Sequence, residues 1–233
     1  MALNIQTFRT RALTALIFVI VMLLGLFINA WSFIGLFMVI MIGCLFEYVK
    51  IIKKINGKRY LIYLPLAAIY IVMPLLMMID LGITINIHTA GPAIETITYS
   101  PLLPCAIIFS IWINDTMAYL VGSFIGKTPF SKISPKKTWE GTIGGALLCV
   151  VVIVLAGHYI PVAKIIGWKY WLVIAAICAV FGTAGDLLES KLKRMADIKD
   201  SGNFMPGHGG FLDRFDSLLV ATPFVWLYIH LLL

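Results

Sequence analysis

Carboxylates, cations and glycines crowd into one stretch of this sequence. Ser190-Lys-Leu-Lys193-Arg194 is followed by Lys199-Asp200-Ser-Gly202 and then by Pro206-Gly207-His208-Gly209-Gly210-Phe-Leu-Asp213-Arg214-Phe-Asp216. The chain has 18 basic and 11 acidic residues, and eleven of these 29 fall between Asp186 and Asp216. Acids of this kind hold divalent cations, and Lys and Arg neutralise phosphates. A glycine-rich turn can aim backbone N–H groups at an anion. Together they point to phosphoryl chemistry, and their place at the edge of an otherwise apolar chain puts that chemistry at a membrane surface.

Spacing sharpens the reading. On a helix Asp186, Glu189, Ser190 and Lys193 share one face. A salt-bridged helix end would explain them, were Asp186 not directly behind an apolar run where an unpaired acid is costly. Asp213 and Asp216 stand three apart at the start of the last apolar run. Dipole capping accounts for one of them but not for a second, deeper acid. If Asp186 ends an inward-running helix and Asp213 begins the next outward one, both lie at one depth. Carboxylates there, completed by substrate phosphates, make a site for one or two Mg²⁺ ions. His208, in the glycine turn, is placed to donate to a phosphate or leaving group. Upstream, Asn114-Asp115-Thr116-x-Ala118-Tyr119 puts an acid in a membrane span, and Ser134-Pro-Lys136-Lys137-Thr138-Trp139-Glu140-Gly141 offers two lysines to phosphates. Asn114-Asp-Thr116 matches a glycosylation sequon, but its place in a span argues against that use.

The elements that must position these residues are membrane helices. The composition is 61% hydrophobic and 12% charged, against about 45–50% and 25% in soluble domains. Mean hydropathy is +0.99. Apolar runs of about 20 residues recur throughout, at 12–29, 31–49, 60–79, 101–122, 140–157, 169–186 and 215–233. The expected fold is therefore all-α, a polytopic integral membrane protein of about seven transmembrane helices with a cytoplasmic N-terminus. Alternating crossings put 16 of the 18 basic residues inside, leaving only Lys164 and Lys169 outside. This is the positive-inside pattern, and it accounts for most of the +7 charge without nucleic acid. Cys44, Cys105, Cys149 and Cys178 are scattered singly through apolar runs and read as packing residues. Gly122-x-x-x-Gly126 and Gly141-x-x-x-Gly145 read as close helix contacts, which also leave room for a homodimer. The segment 80–100 is polar and expected outside. Residues 1–100 read as N-terminal membrane helices, and 101–233 as the catalytic membrane region with its cytoplasmic loops.

From Ser190 to Asp216 the chain resembles, without a gap, the signature of the phosphatidate cytidylyltransferases, or CDP-diacylglycerol synthases. Met205 stands where Leu or Ile is more usual. The Asp115-Thr-x-Ala-Tyr and Ser134-Pro-Lys-Lys-Thr-x-Glu-Gly segments are similar to that family too, whereas the first 100 residues resemble nothing specifically. The resemblance implies that CTP and phosphatidic acid give CDP-diacylglycerol and pyrophosphate with Mg²⁺, at the cytoplasmic face of a bacterial-type inner membrane. It assigns the metal to Asp186 and Asp213, with Asp216 as a further ligand or orienter. It gives phosphate contacts to Lys193, Arg194, Lys136 and Lys137, and lines the CTP site with His208, Gly209 and Gly210. Asp115, Ser190 and Arg214 are further substrate-side candidates. The partners implied are the two substrates and membrane lipid. A CTP-dependent kinase of lipid alcohols is the nearest rival. A transporter is the rival of another class, disfavoured because the acids gather at one edge and not at the midplane.

Overall fold

The structure is a computed structural model. It describes the backbone of residues 5–88, 94–207 and 209–232, and the side chains of these residues apart from 5–9, 11, 84–88 and 94–97. Five helical runs among the described residues are long and apolar enough to cross a membrane, and 12–27 forms a shorter apolar helix. The chain is a multi-pass membrane protein. It divides into two compact units, Met1–Pro101 with Leu192–Phe215, and Leu102–Lys191 with Asp216–Leu233.

In the first unit α1 spans Ile5–Phe27 and α2 spans Ala30–Asn56. Asn29 opens α2 with a reciprocal cap, its side chain accepting from Ser32 N while Ser32 Oγ accepts from Asn29 N. The helix stops at Gly57, whose φ of 53° suits a residue without a Cβ. A 3₁₀ segment (Gly57–Tyr63), α3 (Leu64–Ala67), a π turn (Ala68–Val72) and α4 (Met73–Gly82) follow. Straight, the run Ala30–Gly82 would be about 80 Å long at 1.5 Å per residue. It folds back instead, α4 packing on α2 and the Tyr48 hydroxyl donating to Tyr63 O. Phe33, Phe37, Ile71, Leu75 and Met78 form its buried core.

The segment expected only to be polar is a hairpin. β1 (Ile83–His88) pairs antiparallel with β2 (Ile94–Tyr99), Ile83 opposite Tyr99. The all-α expectation thus holds for the membrane segments and misses this pair. Its β-branched run, Ile-Thr-Ile-Asn-Ile and Ile-Glu-Thr-Ile-Thr, is what strands favour.

In the second unit α5 (Leu102–Ile125) packs tightly on α6 (Trp139–Tyr159). Glycines permit the approach: a Cβ on Gly145 would stand 2.6 Å from Ala118 N. Helix α7 covers Trp168–Met195 and α8 covers Leu212–Leu232, and this unit takes α7 up to Lys191 and α8 from Asp216 onward. At 28 residues α7 is about 42 Å long, more than a bilayer's hydrocarbon core of about 30 Å. Its last turns, with Lys191, Lys193 and Arg194, therefore have length to spare for water. Within this unit the rings of Phe181 and Phe224 stack with centroids 3.6 Å apart. A Cβ on Gly185 would strike the carbonyl oxygen of Asp216, so only glycine lets these backbones meet.

Candidate active site

In the second unit the loop 126–138 is tied down at both ends. Thr138 caps α6 by accepting from Gly141 N, and Glu140 accepts from Lys127 N, Thr128 N and the Thr128 hydroxyl. Phe130 N donates to Lys137 O and Trp139 N to Thr128 O. These bonds present Lys136 and Lys137 at the edge of a cavity of about 430 Å³. Its walls include Asn114, Asp115, Thr138, Thr183 and Asp186. Lys137 Nζ pairs with Asp186 Oδ2, and the Ser190 hydroxyl faces Asp186 Oδ1 at 3.3 Å.

Asp186 belongs to a group of three acids. One carboxylate oxygen each from Asp186, Glu189 and Asp216 lies within 4.8 Å of the others, with Glu189 and Asp216 buried. Asp186 and Glu189 come from successive turns of α7 and Asp216 from the first turns of α8. The absence of a side chain at Gly185 brings the two backbones close enough for this convergence. Three carboxylates so near one another repel strongly in a low-dielectric setting. Hard oxygen donors are the set that Mg²⁺ selects, so the residues present fit that ion. Glu189 shares the predicted helical face but was not among the expected ligands.

In the first unit Asp213 is surrounded. Lys193 Nζ donates to its Oδ1 at 2.7 Å, and Ser201 N and Gly210 N donate to Oδ2 at 2.8 and 2.7 Å. The Lys193 and Asp213 side chains are 14% and 6% exposed, so this pair is shielded from solvent. The glycine turn closes beside it: Met205 N donates to Gly209 O, and Gly209 has a φ of 88°. A Cβ there would also run into the Asp213 carboxylate.

Glu47, which the sequence reading passed over, is the other anchor of this turn. It is 4% exposed. Its Oε1 accepts from Phe211 N at 2.9 Å, and its Oε2 accepts from Leu212 N at 2.9 Å and from the Ser201 hydroxyl at 2.6 Å. The first N–H groups of a helix lack partners within it, and here a carboxylate from α2 supplies them. The glycine turn was expected to offer its N–H groups to a substrate anion. Those of Gly210, Phe211 and Leu212 are instead taken by Asp213 and Glu47. The signal for Glu47 was its solitude: it is the single charged residue between Arg11 and Lys50, and an acid in a span needs a reason.

Asp115 and Lys136 are exposed and line the cavity. Arg194 and Arg214 are exposed, Arg194 donating to Ile198 O at 3.5 Å. His208 lies outside the described residues.

The chain is similar to known proteins over most of its length. Residues 71–232 match the cytidylyltransferase family. A phosphatidate cytidylyltransferase of Bacillus subtilis (strain 168) is 40% identical over 200 residues, 85% of this chain and 68% of that protein. A phosphatidate cytidylyltransferase of Synechocystis is 42% identical over 127 residues, 53% of this chain and 41% of that protein. One from Staphylococcus aureus (strain COL) is 39% identical over 146 residues, 62% of this chain and 53% of that protein. The chain thus spans about half the length of the last two. The 200-residue match must reach into the first 100 residues, where the sequence alone suggested no relative.

Proposed function

Since the chain belongs to the cytidylyltransferase family, we propose that it transfers the cytidylyl group of CTP to phosphatidic acid, releasing pyrophosphate. The observation that carries this reading is the three-carboxylate group beside a lysine-edged cavity. A phosphate oxygen of phosphatidate forms the new bond to the α-phosphorus of CTP. The bond from that phosphorus to the oxygen bridging to the β-phosphate breaks, and its electron pair leaves with pyrophosphate. The nucleophile is already an anion, so no strong base is required. What the protein must do is align two polyanions and offset their charge.

Asp186, Glu189 and Asp216 are the proposed holders of Mg²⁺, with Asp213 added by resemblance. The ion, when bound, would supply Lewis-acid stabilisation of charge on the phosphates. Lys136 and Lys137 offset phosphate charge from the tied loop, and Lys137 also holds Asp186 in place. Lys193 fixes Asp213, and through it Ser201 and the glycine turn. Arg194 and Arg214, both exposed, are proposed to meet phosphates from the water side, and His208 to donate to the leaving group. Seven crossings, counting two in the folded-back run Ala30–Gly82, would put loop 126–138 and the 192–211 segment in the cytoplasm, where CTP is. Phosphatidate would enter sideways from the bilayer.

Pyrophosphate release by the purified protein in detergent tests the reading. It should require CTP, phosphatidate and Mg²⁺ together. Release without phosphatidate, or none with all three present, would overturn it.

A further inference from the structure

A second cavity, of about 320 Å³, lies within the first unit, between α1, α2 and the segment 204–215. Thr14 is the one polar residue of its lining. The Thr14 hydroxyl stands 3.1 Å from Thr10 O and 3.4 Å from Pro206 O, so backbone oxygens already use it. Met22, Ile40 and Phe215 are buried, whereas Ile17, Val21 and Val39 are exposed. The lining thus runs from the core of the unit to its surface along two apolar helices.

The cleft has a direction. At one end the glycine turn is fastened to both helices. Pro206 meets Thr14 on α1, and the Phe211 ring fills the space that Gly43 leaves on α2, where a Cβ would strike it. Further along, α1 and α2 form a hairpin in which Gly25 abuts Leu36. Val21, Met22 and Leu36 are therefore the lining residues farthest from the turn. From Thr14 to Met22 is about 12 Å along the helix axis. At the turn end, exposed Arg214 adjoins the lining residue Phe215 on the first turn of α8. A cation at one end of a hydrocarbon-lined cleft matches an amphiphile with an anionic head and an apolar tail.

We infer that this cleft holds one acyl chain of phosphatidate, and that its far end, at Val21, Met22 and Leu36, sets the acyl length the protein accepts best. The inference rests on the proposed use of phosphatidate and deepens it. An acyl chain that leaves other lipid tails for an apolar cleft gains little from hydrophobicity, since both surroundings are equally apolar. What the cleft offers is shape: packing contacts that accumulate until the lipid tail reaches the far end and then stop. It acts as a measure of length more than as a source of affinity.

Ile17→Trp and Val21→Trp are the test. They lie one turn apart on one face of α1 and would fill the cleft at two depths. Rates with CTP would be measured for the full-length wild type and both variants on phosphatidates from dihexanoyl to dipalmitoyl, in mixed micelles, alongside thermal unfolding and size-exclusion chromatography. Dividing variant by wild type at each length cancels differences in how the lipids partition. We expect kcat/KM for dihexanoyl phosphatidate to be nearly unchanged. For longer lipids it should fall by about tenfold or more, the order by which a filled apolar pocket discriminates. The fall should begin at a shorter acyl chain in Ile17→Trp than in Val21→Trp, with KM for CTP unchanged in both. Should Trp prevent folding, Ile17→Phe and Val21→Phe give smaller plugs with the same order. No fall, a fall that begins at the same length in both, or a shift in KM for CTP would overturn the inference. Equal loss at every length would also overturn it, giving the cleft to bulk lipid, or to a second copy if the particle becomes smaller. A wild type that transfers nothing from CTP to any of these lipids would instead overturn the reading of the whole reaction.

Discussion

At the scale of single residues the account depends on carboxylates whose neighbours differ. Asp186, Glu189 and Asp216 converge on a volume small enough for one cation. Asp213 is held by Lys193, Ser201 and Gly210. Asp186→Asn and Glu189→Gln should each lower kcat by about a hundredfold or more, the size expected when a stabiliser of transition-state charge is lost. Both should also raise the Mg²⁺ concentration for half-maximal pyrophosphate release, and an unchanged Mg²⁺ dependence would remove that residue from the site. Lys137→Met deletes one charge-assisted contact, worth about 1.5–3 kcal/mol. KM for CTP should rise by roughly 10- to 100-fold, as steady-state kinetics would show. Asp186, Asp216 and Lys137 were legible in the sequence because their type and local spacing carry the chemistry. Glu189 was visible on the right face, but grouping it with Asp186 and Asp216 needs the packing of α8.

Among the elements, two close contacts matter most. The α8 backbone reaches α7 at Gly185, where a Cβ would meet Asp216 O and stand 3.0 Å from Ser217 Cα. Gly185→Ala should therefore displace Asp216, and activity should fall more steeply at low Mg²⁺ than at saturating Mg²⁺. Equal loss at both would contradict a role in metal-site geometry. The second contact is Glu47 from α2 on the start of α8. Glu47→Ala leaves Phe211 N and Leu212 N without their acceptor, each at about 1–3 kcal/mol, while the Ser201 hydroxyl keeps Asp213 Oδ2 at 2.9 Å. A thermal-unfolding scan should show a drop of several degrees or more, since about 1 kcal/mol moves the midpoint by roughly 2–4 °C at this chain length. Glu47→Gln, which keeps an acceptor oxygen, should recover part of it. The helices themselves were legible from apolar run lengths. The hairpin of β1 and β2 was not, because its threonines and single charges read as an undifferentiated polar connection, and pairing is a property of two segments at once.

For the whole molecule the strongest sequence signal is charge asymmetry across the spans. It predicts the sidedness of loops that sit far apart in the chain. All four native cysteines are buried, so an introduced cysteine reports alone to a membrane-impermeant thiol reagent. Lys132→Cys should label from the cytoplasmic side and Lys164→Cys from the opposite side, as inverted and right-side-out vesicles would reveal. Labelling of both from one side would break the crossing pattern and with it the cytoplasmic site. Family membership reaches the same protein by another route, through a long spaced signature and not through charge bias.

The most direct measurement follows phosphorus. Purified wild type and Glu189→Gln would be given phosphatidate, Mg²⁺ and CTP labelled separately at the α and γ positions. The account predicts that α-label enters the lipid, γ-label leaves as pyrophosphate, and the variant does neither at a comparable rate. Label from the γ position in a lipid product, or full α-transfer by Glu189→Gln, would contradict it.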